Sequence, residues 1–151
     1  RQIHRMNGKI IVISLITFTL VFSLVLYYFQ VFAFYHTTNG LTAIKVFDRN
    51  VPVKNYRGID SVTSGLKLRG CFLVEPSEFS KMPILLKATP LSAPFWFNCF
   101  DHVKIQEAIN EGKAKAFLVF ENEKDGIDRV VAVFPDGTGF QWRQLNSKFL
   151  E

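Results

Sequence analysis

From Ile10 to Phe34 the chain runs 25 residues without a charged side chain, and almost every position is apolar. A bilayer core takes about 20 residues as helix. At ~1.5 Å per residue this run would reach roughly 37 Å, enough to span with some tilt. Its first part is aliphatic, from Ile10 to Leu26, and its last part turns aromatic at Tyr27, Tyr28, Phe29, Phe32, Phe34 and Tyr35. Tyrosine favours the membrane–water interface, where its ring is sheltered and its hydroxyl is wet. The internal polar residues Ser14, Thr17, Thr19 and Ser23 can each bond their own backbone four residues back, so none implies a pore.

Charge sets the expected orientation. Arg1, Arg5 and Lys9 precede the run with no acid among them, and no cation follows until Lys45. The positive-inside rule then predicts a cytoplasmic tail over 1–9, a transmembrane helix over 10–35 and an external domain over 36–151. A cleaved signal peptide is the rival reading, since Val31-Phe32-Ala33 loosely fits a small-residue cleavage site. The length of the run and its bulky aromatics favour a retained anchor.

The residues after the span suffice for one domain with its own core. All 13 acids and 15 of the 18 Lys and Arg lie there, so the domain is only +2 and the short tail carries the other +3. The basic pI therefore reflects topology in part and is weak evidence for nucleic acid, which would want a dense basic stripe. Cys71 and Cys99 both fall in this domain. In an oxidising compartment they read as a disulfide, contributing about 3.5 kcal/mol through loop entropy. Two free buried thiols are the alternative if the topology is inverted.

The pattern predicts an α+β domain, an antiparallel sheet of four or five strands with one or two helices. Leu41–Phe47 and Leu66–Leu73 read as strands, Asn50–Gly65 as mostly loop, and His36–Gly40 as a polar tether. Pro76 opens a short helical turn carrying Phe79 and Met82, and Ile84–Leu86 is a brief strand. Asp101 is a good N-cap and Gly112 a good stop for a helix burying Ile105, Ala108 and Ile109. Lys115–Glu121, Ile127–Phe134 and Gly139–Leu145, joined through Asp125-Gly126 and Pro135-Asp136-Gly137, predict a three-stranded meander. Its middle strand is apolar on both faces and should be central.

Candidate chemistry is sparse. Cys99-Phe100-Asp101-His102 has Cys-x-x-His spacing, with Cys71 as a further soft ligand. Zinc or copper wants three or four such ligands, and a disulfide would consume two. Glu121 to Gly126 mimics the opening of a calcium loop, but Glu replaces Asp and Ala132 stands where a bidentate Glu is needed. Gly137 and Gly139 precede no helix that would offer its N-terminus to phosphate. A nucleophile in the external domain would have only His36 or His102 as a histidine base, with His4 across the membrane. Asp101, Asp125 and Asp128 are the remaining acid–base candidates. No catalytic residue, metal ligand or cofactor is therefore assigned. The aromatic stretch containing Phe95, Trp96, Phe97 and Phe100 has two readings, core beneath a pinned loop or a partner-facing apolar patch.

Met6-Asn7-Gly8-Lys9 before the span, Leu68-Arg69-Gly70-Cys71-Phe72, Ala88-Thr89-Pro90-Leu91-Ser92-Ala93-Pro94, Trp96-Phe97-Asn98-Cys99-Phe100-Asp101 and Gly126-Ile127-Asp128-Arg129 through Val133-Phe134-Pro135-Asp136-Gly137 resemble a family of short bacterial single-pass membrane-anchored proteins of unknown function. The likeness covers nearly the whole chain. It implies a bacterial inner membrane and a periplasmic domain, and carries over no functional residue. Members sometimes bear a histidine kinase label, which does not fit. About 115 residues without nucleotide-binding glycine boxes cannot hold a phospho-accepting helix and an ATP domain.

The expectation is a non-enzymatic accessory subunit or assembly factor of a membrane complex. Its partners would be the bilayer and one or more membrane proteins, with no nucleic acid. A periplasmic sensor of a small molecule or metal is the alternative, and an enzyme is less favoured.

Overall fold

A computed structural model describes residues 7–148. Arg1, His4, Arg5 and Met6, on which part of the expected cationic tail falls, lie outside the described residues. The chain divides after Phe34 into two compact units.

The first unit is helix α1, Gly8–Val31. Asn7 caps it, its side chain accepting from the Lys9 N–H at 3.3 Å. None of its residues is buried. A helix apolar all round is at home in lipid or in a large core, and α1 is long and apolar enough to cross a membrane. The Thr19 hydroxyl donates to the Leu15 carbonyl at 2.8 Å, satisfying that polar group within the helix. Helical hydrogen bonding ends at Phe32 and Ala33, whose N–H groups both reach Tyr28 O.

The second unit is an antiparallel sheet: β1 (Tyr35–Asn39), β2 (Ala43–Val46), β3 (Arg49–Ser61), β4 (Arg69–Val74), β5 (Lys115–Lys124), β6 (Ile127–Val133) and β7 (Thr138–Leu145). The strand order is β1-β3-β4-β7-β6-β5, with β2 on the first half of β3 and β1 on its second half. The sheet curls until β2 approaches β5, where the Phe47 N–H donates to Val119 O at 2.8 Å. The expected C-terminal meander is present with β6 in its middle.

Seven strands replace the expected four or five, because two segments read as irregular are strands. His36–Gly40 is not a tether but most of edge strand β1. Asn50–Gly65 is mainly β3, the longest strand, and its turn-forming residues each have a place. The Val53 N–H bonds to Thr42 O, just before β2, so the missing N–H of Pro52 faces the other side, beyond the last β3–β4 pair at Val53 and Val74. A strand tolerates proline where no ladder bond is lost. Asn55 takes φ 54° where the register slips between Lys54 and Arg57, forming a bulge. Two further segments differ. Gly65–Lys67 is a 3-10 turn, so the second predicted strand begins at Arg69. Ile84 makes only an isolated bridge to Phe117.

Both faces of the sheet are buried. Along β6, Val131 and Val133 join a cluster with Val51, Val53, Phe72, Phe79 and Phe117 on the concave side. Val130 and Ala132 join Trp142, Phe97, Phe100 and Ile105 on the other. That second face is covered by α2 (His102–Asn110) and by the preceding loop. Asp101 caps α2, accepting from the N–H groups of Val103 and Lys104, and Gly112 closes it at φ +76°. Cys71 of β4 is disulfide-bonded to Cys99. Two buried side chains pin the same loop. Arg69 donates to the carbonyls of Leu91 and Ser92. Gln144 accepts from the Thr89 N–H at 2.8 Å and donates to Lys87 O at 3.0 Å.

Candidate functional site

The concave face is apolar over one half and ionic over the other. Strand alternation puts Tyr56, Gly58 and Asp60 of β3, Arg129 of β6, and Gln141 and Arg143 of β7 on this side, joined by Glu123 of β5. They line a cleft of about 290 Å³.

Arg129 is its hub, with a side chain only 5% exposed. Nε donates to Glu123 at 2.9 Å, one terminal nitrogen donates to Gln141 Oε1 at 3.0 Å, and the other reaches the Lys45 carbonyl. The last bond ties β6 to β2 and helps hold the curl. Glu123 also accepts from Arg143 at 2.8 to 2.9 Å, and Arg143 reaches the Asp60 carboxylate at 3.3 Å. Arg129, Glu123, Arg143 and Asp60 thus form an alternating, formally neutral chain. Burial pushes the Glu123 carboxyl up, but the Arg129 charge and hydrogen bonds from Arg143 and Arg129 outweigh it and leave its pKa below the ordinary value.

Tyr56 completes the cleft floor. Its hydroxyl accepts from Gln141 Nε2 at 2.6 Å, and its ring stacks on Phe72 at 5.9 Å. Burial raises its pKa, partly countered by the Gln141 hydrogen bond, so the phenol stays protonated. Since the oxygen accepts here, its proton is available to an acceptor in the cleft. Gly58 and Gly70 provide clearance. A Cβ at Gly58 would lie 2.6 Å from the Tyr56 ring, and one at Gly70 would lie 2.9 Å from its hydroxyl. Lys45 and His36 stand exposed at the rim.

The residues singled out in the sequence lie elsewhere. Phe97 and Phe100 are buried, Trp96 is half-buried against the same cluster, and Phe95 is 68% exposed. Trp96 meets Tyr35 edge-on at 5.5 Å. The thiols of Cys71 and Cys99 are consumed in the disulfide, with His102 at the start of α2. Among the described residues, no group of three or more His, Cys, Asp or Glu is placed to hold a metal. Asp125 is exposed and bonds Lys148 at 2.6 Å. Asp128 accepts from the Asn122 N–H at 2.8 Å and from Asn146 at 3.0 Å. Asp101 is occupied as the helix cap.

Sequence reasoning missed the ionic cleft altogether. Glu123 sits in a run of charged residues that reads as a solvated turn, and Arg129 lies in a strand that reads as apolar core. A signal was present: Arg129 stands two positions before buried Val131, and Gln141 and Arg143 alternate with buried Trp142 on a strand otherwise paired at the centre of the sheet.

In comparisons with known proteins, residues 40–150 match the model of a family of unknown function (DUF6446). No curated protein and no solved structure matches the chain.

Proposed function

We infer the role of this chain, which belongs to the DUF6446 family, from its own geometry: it is a single-pass membrane protein whose sheet domain acts by binding, as an accessory subunit or assembly factor of a larger membrane complex. The anchor is retained, the amino terminus is cytoplasmic, and the domain lies in the bacterial periplasm. The clamped state of Glu123 carries the reading of binding over catalysis. A general base works best with a pKa near the operating pH, whereas Glu123 is held below its ordinary value between two arginines. Its lone pairs are committed to structure. The 24-residue apolar helix without a buried residue supports the anchor. The cationic residues before it and the disulfide after it support the orientation, since disulfides persist in oxidising compartments.

A specific observation favours a second reading, a sensor of a small polar ligand. The cleft presents the Tyr56 proton, the Lys45 ammonium and the His36 imidazole at its rim above the ionic chain, the kind of convergent polar set that fixes a ligand's orientation.

Crosslinking followed by mild-detergent purification of the full chain tests the first reading. A discrete stoichiometric membrane partner is expected, and a lone monomer at every crosslinker length would refute it. Maleimide labelling in intact cells tests the topology. Cys71 and Cys99 should be unreactive until reduced, while ready labelling without reductant would place the domain in the cytosol.

A further inference from the structure

A second cavity opens at the opposite end of β6 from Arg129. It holds about 400 Å³, within the range of roughly 300–1,000 Å³ typical of small-ligand sites. Its floor is the core itself: Phe79 and Phe117, stacked at 5.3 Å, with Val133 beside them. Met82 and Ile84 line it as well, Ile84 being 53% exposed. The charged residues on its wall are Lys113 and Lys115, and no carboxylate lines it. Lys113 pairs with Glu111 at 2.8 Å. Exposed Lys115 has no ion-pair partner among the described residues.

We propose that this cavity binds a small amphipathic carboxylate, its hydrocarbon on the Phe79–Phe117 floor and its head group at Lys115 and Lys113. Apolar walls supply the burial, and the Lys115 ammonium, which has no ion-pair partner among the described residues, fixes the sign of the ligand's charge, with Lys113 beside it shared with Glu111. A cationic amphiphile would set like charges against each other at the mouth, which disfavours it. Met82 is flexible and polarizable enough to accommodate aliphatic or aryl groups. The site is independent of the ionic cleft and of the accessory role.

Met6 and Met82 are the only methionines, so carbon-13 methyl labelling of methionine gives one reporter in the cavity and one control beside the anchor. The full chain in phosphatidylcholine nanodiscs is titrated with octanoate and, separately, with octylammonium. The Met82 methyl signal should shift saturably with octanoate while Met6 stays fixed, and octylammonium at the same concentration should leave Met82 in place. K113E/K115E reverses two exposed charges, and octanoate binding, read at Met82 from the variant's own starting position, should weaken at least tenfold. An unmoved Met82, an equal response to octylammonium, or undiminished octanoate binding by K113E/K115E would overturn the proposal. So would strong contacts between Met82 and nanodisc lipid before any addition, which would make bilayer lipid the occupant.

Discussion

Glu123 and Arg129 meet at 2.9 Å across the β5–β6 hairpin, where the arginine side chain is almost fully buried. Replacing Glu123 by alanine would leave Arg129 and Arg143 without their shared counter-charge. Removing one member of a buried pair typically destabilises by about 3–5 kcal/mol, because the remaining charge is stranded in low dielectric. Glu123 is partly accessible, which places Glu123→Ala at the lower end, about 3 kcal/mol. Glu123→Gln keeps the acceptor oxygen and should cost less. Thermal unfolding followed by fluorescence of the buried Trp142 checks the order.

The same carboxylate makes stability depend on acid. Its pKa is lower folded than unfolded, so the folded state binds fewer protons than the unfolded state at low pH. Stability from Glu123 is therefore complete above the ordinary value of 4.5 and is lost as pH falls through the lowered folded value. Unfolding midpoints measured down through this window should drop more steeply for the parent protein than for Glu123→Gln. Equal slopes would mean that Glu123 is not a source of the acid sensitivity.

The parts legible in the sequence are those governed by local pattern. The capped helix from Asp101 to Gly112, the meander with β6 at its centre and the proline turn before Phe79 follow from periodicity, caps and turn residues within a few positions. What stayed hidden depends on partners far away. Pro52 is compatible with a strand only because β4 stops one residue short of it. Arg129 is compatible with burial only because Glu123, Gln141 and the Lys45 carbonyl converge on it. Tyr56 and Gln141 are 85 positions apart, and no local spacing announces their contact.

Gly139 is constrained by a neighbour rather than by its own backbone. A Cβ there would overlap the Phe72 ring on the paired strand, and its φ is not in the left-handed region. Gly139→Ala should therefore destabilise by about 1–3 kcal/mol through overpacking. Phe72→Leu removes the ring that the methyl would strike, at its own cost in core burial. The double variant should be more stable than the sum of the two losses predicts, by about 0.5 kcal/mol or more. Strict additivity in a double-mutant cycle would show that the clash is relieved elsewhere.

The loop before α2 should divide into core and surface within a few residues. Phe100 is 5% exposed and lies edge-on to both Phe140 and Trp142. The Arg69 guanidinium stands over its ring at 5.8 Å. Burial lowers the pKa of that arginine to about 10, against weaker raising effects of Tyr35 and Asp60. Phe100→Ala would remove the ring beneath a desolvated cation as well as core volume, so a loss of about 3–5 kcal/mol is expected. Phe95, two-thirds exposed, belongs to the surface class, and Phe95→Ser should shift stability by no more than about 0.5 kcal/mol. If Phe95→Ser leaves the melting temperature unchanged but abolishes the crosslinked complex, the partner contacts the loop at that ring. If Phe95→Ser destabilises as much as Phe100→Ala, the loop is core throughout and the partner surface lies elsewhere.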